Sequence, residues 1–249
     1  MKFGENIKAI KSLKERMKTI PFFMGCYNVY YKLRFGRRIR KKKQYFLKES
    51  TELLQKFSQT LNENNILFWL EFGTLLGYYR EHDFIKHDYD LDIGANYDDA
   101  KRIRKSLTNN GFTLVKEFRA KDGGLEECYR YLHTTIDLFY FRVDESNPSI
   151  HYCDLIRSSV FPIKKKHLNK EIKSTVRRRY VPNNGFEKAV FKGCDVYIPI
   201  QTEEVLSTYY GKDFMIPDPN YDATKHPDHV VYYSYEENPG TSFFKEIPL

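Results

Sequence analysis

The chain has 249 residues, of which 41% are hydrophobic and 16% aromatic. This is enough apolar material for a core, so disorder along the whole length is excluded. The 41 Lys and Arg residues against 33 Asp and Glu give a formal net charge of +8. A charge of this sign is typical of proteins that bind nucleic acid or an anionic membrane.

The positive charge is concentrated in the N-terminal segment. Residues 1–48 contain 15 Lys and Arg but only 2 Asp and Glu, whereas the remaining residues carry a net charge of −5. Enzymes that act on nucleic acid normally have a basic groove on the folded body. We therefore expect no nucleic-acid partner.

Aromatic residues lie among the cations of this N-terminal arm. Its longest uncharged run, Thr19–Tyr31, has 13 residues and cannot span a bilayer, for which a helix needs about 20. Aromatic side chains among cations suit a segment that lies in an anionic headgroup layer. In that case, removing residues 1–48 should abolish salt-sensitive binding to anionic vesicles. The alternatives are a solvated basic arm and a helix packed on the body or on a second subunit.

Hydrophobic periodicity predicts both helices and strands in the body. The predicted helices are Ser50–Asn64, Thr74–Arg80 and a helix from Asp98 to Asn109. The predicted strands are Ile66–Phe72, Tyr89–Gly94, Phe112–Phe118, Cys128–Leu132 and Thr135–Phe141. Residues 142–186 show only weak periodicity. This order favours an α+β fold with a mixed β-sheet flanked by helices.

Three carboxylates follow one another at every second position, in Asp88, Asp90 and Asp92. On a strand they would share one face, with Tyr89, Leu91 and Ile93 directed into the core. Carboxylates this close repel one another unless a cation neutralises them, and such ligands suit Mg²⁺ or Mn²⁺. The alternative is a solvated acidic edge strand.

Two further features strengthen the metal-site hypothesis. Gly73-Thr74 follows an apolar strand, so its backbone amide and hydroxyl can cradle a phosphate, although Gly-Thr before a helix is usually just a turn with a cap. Asp137 lies in an otherwise apolar strand and should not be buried without a partner. It becomes the third metal ligand if that strand lies beside Asp90 and Asp92. Alternatively, it pairs with an Arg or lies at an edge.

These motifs resemble the LicD/fukutin family of nucleotidyltransferase-fold phosphotransferases. The resemblance is carried by FGTLLGYYREHDFIKHDYDLDIG (Phe72–Gly94), by Ile136–Phe139 and by Tyr210–Pro217. Lys86, His87 and Tyr89 depart from the family pattern. Since the resemblance covers about residues 50–222, we predict a basic arm at 1–48, a catalytic domain at 49–222 and a C-terminal tail at 223–249.

The resemblance implies transfer of a phospho-alcohol, such as phosphocholine or a ribitol or glycerol phosphate. The donor would be CDP-linked and the acceptor a hydroxyl of a cell-surface or capsular glycan, free or lipid-linked. Asp90, Asp92 and Asp137 would hold Mg²⁺ or Mn²⁺, and Asp137 or Asp88 would take the acceptor proton. Gly73, Thr74, Arg80, Lys86 and His87 would contact substrate.

Two other functions fit parts of the sequence. One is a D-x-D glycosyltransferase that uses a nucleotide-sugar, and the other is a non-catalytic glycan-assembly scaffold. Four cysteines without a C-x-x-C pair indicate a reduced compartment. We therefore expect a cytoplasmic protein, held at the inner face of the membrane if the arm binds lipid.

Overall fold

The computed structural model describes residues 21–86, 88–160, 163–217 and 230–247, with side chains from residue 36 onward. Among the described residues, those from Tyr45 onward form one compact unit, and residues 21–44 belong to a second unit. In the described part of the chain, no helix is both long and apolar enough to cross a membrane.

Four α-helices and eleven strands make up the described chain. The helices are α1 Pro21–Glu63, α2 Phe72–Leu76, α3 Ala100–Asn109 and α4 Thr202–Tyr210. A π-helical turn, Gly77–Glu81, follows α2, and short 3-10 turns lie at Tyr97–Asp99 and Lys165–His167. The strands are β1 Phe68–Leu70, β2 Leu91–Asn96, β3 Thr113–Ala120, β4 Leu125–Tyr131, β5 Thr134–Asp144, β6 Asn147–Ser158, β7 Glu171–Pro182, β8 Phe186–Phe191, β9 Cys194–Pro199, β10 Val230–Tyr233 and β11 Gly240–Phe244.

Nine of the strands form one mixed sheet, which confirms the predicted α+β arrangement. Its main path runs β1-β2-β5-β4-β3-β11-β7-β10, and β6 pairs with both β5 and β7. The pairing of β5, β4, β3, β11, β7 and β6 therefore closes into a ring of six strands. Among the described strands, only β2 and β5 run parallel, and both are rich in buried residues, as is usual for parallel strands.

The larger core packs around β1, β2 and β5. Phe57 and Leu61 of α1, Trp69 of β1 and Leu138 of β5 are all fully buried in it. The predicted inward positions Leu53, Leu54, Phe57, Leu61, Ile103 and Leu107 are all buried. A smaller cluster fills the ring of strands, with Phe118, Ala120, Ile156, Ile163, Ile172, Val176 and Phe244.

Helix α1 shows where the predicted boundaries were wrong. It does not begin at Ser50, which is buried within the helix and has no role as a cap. The Arg- and Lys-rich residues before it are good helix formers, so the helix continues through them. Its end is as predicted, because Asn65 adopts φ 50° and terminates the helix in the left-handed conformation that Asn tolerates. Phe46 is already part of the core.

The segment after residue 222 is not a detached tail. Strand β11 lies between β3 and β7, and its Ser242 and Phe244 are buried. Strand β10 adds to the far side of β7. Strands of four and five residues are too short to show a clear periodicity, so the sequence did not predict them.

Candidate active site

Strands β2 and β5 bring two carboxylates side by side. In the parallel pair, Asp92 lies directly opposite Asp137, so both side chains leave the same face of the sheet. The strand predicted at Tyr89–Gly94 instead begins at Leu91, so Asp88 and Asp90 precede it. Tyr89 is exposed rather than directed into the core, because the alternation of a strand does not extend to it.

The turn after β1 holds Asp92 in place. The N–H of Gly73 donates to Oδ2 of Asp92 at 3.1 Å, and the N–H of Asp92 donates to Oγ1 of Thr74 at 2.8 Å. Thr74 itself is buried. The two residues predicted to cradle a phosphate therefore contact Asp92 in this structure, and their contact with a phosphate stays a prediction.

Asp88 approaches the same glycine. A side chain at residue 73 would place its Cβ 2.8 Å from Oδ2 of Asp88 and 3.2 Å from Oδ2 of Asp92. Only glycine therefore leaves room for both carboxylates. Burial raises the pKa of Asp92 well above its usual range, and the charges of Asp90, Asp137 and Asp88 raise it further. Three carboxylates thus lie near enough to Asp92 to repel its charge, and we call these four residues the carboxylate cluster.

Asp137 is paired on one side only. Its Oδ2 accepts from Nζ of Lys116 at 3.4 Å, while its buried Oδ1 has no hydrogen-bond partner among the described residues. An unsatisfied buried oxygen is costly, so this position fits a ligand such as a divalent cation. In the described part of the chain, no three potential ligands converge on a ready-made metal site. Binding would have to draw the carboxylates together.

Glu71 stabilises the turn between β1 and α2. It is buried at the start of α2, where it accepts from the N–H of Phe72 at 3.3 Å and from Nε1 of Trp69 at 2.7 Å. Burial raises the pKa of Glu71 to about 7. Phe72 adopts φ 40°, an unfavourable value for a bulky residue. These contacts hold the bend that directs the N–H of Gly73 to Asp92.

The remaining predicted substrate contacts lie outside this cluster. Arg80 is nearly buried, with Nη1 donating to the carbonyl of Phe214 at 3.0 Å and Nε pairing with Glu81 at 2.9 Å. Its guanidinium thereby holds the 211–217 segment, and a role as a phosphate clamp stays a prediction. Lys86 is exposed. His87 lies outside the described residues.

A groove begins one helical turn beyond Thr74. It has a volume of about 1300 Å³ and lies between the π-helical turn, the β8–β9 hairpin and α4. Aromatic rings and carboxylates share its lining, among them Tyr78, Tyr79, Phe214, Glu187, Glu203 and Glu204. Such a volume exceeds the roughly 300–1,000 Å³ of a typical small-molecule pocket and suits an extended ligand.

Sequence reasoning missed Glu71 and Lys116. Each is a charged residue in a predicted apolar strand, which is the same signal that identified Asp137. Lys116 could not be connected to the carboxylates without knowing the strand order. It lies opposite Cys128 of β4, which in turn lies opposite Asp137.

The part of the chain that contains the candidate site is similar to known proteins. Residues 65–201 match the nucleotidyltransferase domain described as LicD/FKTN/FKRP. The chain is 27% identical over 191 residues to a protein named Ribitol-5-phosphate transferase FKTN from Macaca fascicularis, and equally to that of Homo sapiens. The match covers 74% of this chain but only 37% of each relative.

One solved structure with a partial likeness is that of ANT(2")-Ia in complex with adenylyl-2"-tobramycin. It is 14% identical, with a TM-score of 0.42 over 71% of this chain and 83% of that one. The domain match, which covers more than half of the chain, confirms the family resemblance and the predicted nucleotidyltransferase-type fold.

Proposed function

Because the chain belongs to the LicD/FKTN/FKRP nucleotidyltransferase-domain family, we propose that it is a metal-dependent phosphotransferase. It moves a phospho-alcohol, such as phosphocholine or a ribitol or glycerol phosphate, from a CDP-linked donor to a hydroxyl of a glycan. The FKTN relatives are named for ribitol-5-phosphate transfer, which supports this class of reaction.

One observation carries the proposal. Asp92 and Asp137 lie side by side, with Asp88 and Asp90 near them, and Oδ1 of Asp137 is buried without a partner among the described residues. Oxygen ligands of this kind suit Mg²⁺ or Mn²⁺. Asp90, Asp92 and Asp137 would hold the cation, which supplies charge neutralisation at the diphosphate.

The protein's own groups then orient the reactants. The N–H of Gly73 and the hydroxyl of Thr74 hold the side chain and the backbone of Asp92 in position through hydrogen bonds. Asp88, the carboxylate of the four that is not assigned to the cation, accepts the proton of the attacking hydroxyl, so that a phosphodiester forms on the acceptor, the bond between the donor's two phosphates breaks and CMP leaves. We assign the glycan to the groove beside Tyr78 and Tyr79, whose rings and neighbouring carboxylates can stack on and hydrogen-bond to sugars.

The basic N-terminal arm adds a second part to this proposal. Residues 1–48 would hold the enzyme at the anionic inner face of a membrane, close to lipid-linked acceptors. Because Phe46 is buried in the core, a truncation that tests this should end before Tyr45.

Thermal-shift measurements with and without Mg²⁺ test the donor class. CDP-choline, CDP-ribitol or CDP-glycerol should raise the melting temperature together with Mg²⁺, because a ligand stabilises only the fold that binds it. Asp92→Asn should abolish the shift. A shift with UDP-sugars alone would instead identify a glycosyltransferase. If no nucleotide had any effect, a non-catalytic scaffold would be the better account.

A further inference from the structure

Lys116 is a cation that lies against the carboxylate cluster, where it pairs with Asp137. We propose that it is a built-in counter-ion that takes the place of a second divalent cation, so that the site binds one metal ion. This inference rests on the proposed metal-dependent function and specifies how many cations that function uses.

The sheet places Lys116 in register with the cluster. Lys116, Cys128, Asp137 and Asp92 lie opposite one another on the adjacent strands β3, β4, β5 and β2. Residues in one such row leave the same face of a sheet. The lysine side chain extends across β4 at Cys128, and its Nζ lies 3.4 Å from Oδ2 of Asp137. An irregularity in β3 between Leu114 and Lys116 sets this register.

The surroundings of the amine keep it there. Its side chain is 22% exposed, and Nζ lies 5.6 Å from the centre of the Phe118 ring. Glu126 lies two residues before Cys128 and therefore on the same face of β4, so a second carboxyl group is a neighbour of the amine. A lysine this enclosed is more strongly coupled to its neighbours than one in a solvated surface pair.

The two oxygens of Asp137 consequently have different roles. Oδ2 is occupied by the ammonium group, whereas Oδ1 is buried and has no partner among the described residues. A cation would bind between Oδ1 of Asp137 and the carboxylate of Asp92 on the neighbouring strand. A second divalent cation that used Oδ2 would lie beside the ammonium group, where like charges at this distance repel strongly.

Replacing Lys116 with an uncharged residue distinguishes a counter-ion from an ion pair that only stabilises the fold. In Lys116→Gln, the amide can still donate to Oδ2 of Asp137, but the charge is lost. Lys116→Arg retains the charge. Lys116→Met is a second neutral variant, in case one of them folds poorly. Lys173→Met on β7 is the matched control, because its Nζ lies against the ring of Tyr235, remote from the row.

The experiment is a titration of the full-length protein with Mn²⁺, followed by electron paramagnetic resonance and calorimetry without substrate. The wild type, Lys116→Arg and Lys173→Met should each bind one Mn²⁺. Lys116→Gln and Lys116→Met should bind a second ion, or bind one at least about tenfold more tightly.

Three results would overturn the proposal. The first is that the wild type binds two Mn²⁺ ions. The others are that Lys116→Gln binds a single Mn²⁺ ion with an affinity within twofold of the wild type, or binds it more weakly. Any of these would leave the metal-dependent function standing. If the wild type bound no Mn²⁺, both the role of Lys116 and the metal-dependent function would fail.

Discussion

Gly73 and Asp92 are joined by a direct hydrogen bond, from the glycine N–H to Oδ2 of the aspartate at 3.1 Å. The glycine has no side chain, and this leaves room for Oδ2 of Asp88 near the same position. The bend after β1 and the start of β2 are therefore one structural unit, and the position of the carboxylates depends on it.

Replacing Gly73 with Ala should disrupt the cluster. The new Cβ would lie 2.8 Å from Oδ2 of Asp88, so one carboxylate must move. We expect Mn²⁺ affinity and transfer to fall by at least about tenfold, since a misplaced ligand loses most of its contribution. Gly36→Ala is the control, because nothing lies within 4 Å of that position. Equal effects in the two variants, measured by Mn²⁺ titration, would contradict this account.

Arg104 and Arg102 of α3 should differ sharply in their effect on stability. Arg104 pairs with the fully buried Glu127, which also accepts from the hydroxyls of Tyr129 and Tyr140 at 2.7 Å each. Arg104→Met would leave a buried charge without its cation and should lower the free energy of unfolding by about 3 kcal/mol. Arg102→Met breaks an exposed pair with Asp99 and an exposed hydrogen bond to the carbonyl of Asn64, and should cost only about 1 kcal/mol. Urea denaturation measures both.

His151 should make the protein sensitive to acid. It is buried against the rings of Trp69, Phe141 and Phe186, and this burial lowers its pKa from 6.5 to about 4. Between these values the unfolded chain binds a proton that the folded protein does not. Stability is therefore lost as the pH falls below about 6.5, by about 2 kcal/mol at pH 5.

The variant His151→Phe isolates this effect. Phenylalanine keeps the packing but does not titrate, so its free energy of unfolding should change about 2 kcal/mol less than that of the wild type between pH 7 and pH 5. If the two proteins lost equal stability in urea titrations at the two pH values, His151 would not be the source.

The groove should bind the acceptor rather than the donor. Glu203→Gln removes one charged hydrogen-bond acceptor from its lining, so the KM for the glycan should rise about three- to tenfold. The KM for the CDP-linked donor should not change. Glu236→Gln, in the exposed turn before β11, is the control. Steady-state kinetics in which only the donor KM rises would place the donor in the groove instead.

The sequence predicted the elements that carry regular apolar spacing and missed those that do not. Leu53, Leu54, Phe57 and Leu61 identify the end of α1, and the apolar run around Asp137 identifies β5. Strands β6 and β7 were not predicted, because charged residues such as Asp154 and Arg178 pair with each other on them and interrupt the alternation. A local pattern cannot show that such charges will be paired.

The site was predicted in part for the same reason. The sequence made Asp137 a candidate ligand on the condition that its strand lies beside that of Asp90 and Asp92, and β5 does lie beside β2, with Asp137 opposite Asp92. Lys116 was missed because its proximity to Asp137 depends on the order β3-β4-β5, which is a long-range property of the sheet. Arg80 carries a charge suited to phosphate, yet it binds the carbonyl of Phe214. Residue type alone could not reveal that contact.

Analysis of the products by phosphorus NMR tests the central claim most directly. With Mg²⁺, a glycan acceptor and the CDP-linked donor that gives the largest thermal shift, the wild type should release CMP and form a phosphodiester on the acceptor. Asp92→Asn and Asp137→Asn should each lower this rate at least about 100-fold while remaining folded. A product without phosphorus, or undiminished transfer by Asp137→Asn, would contradict the assignment.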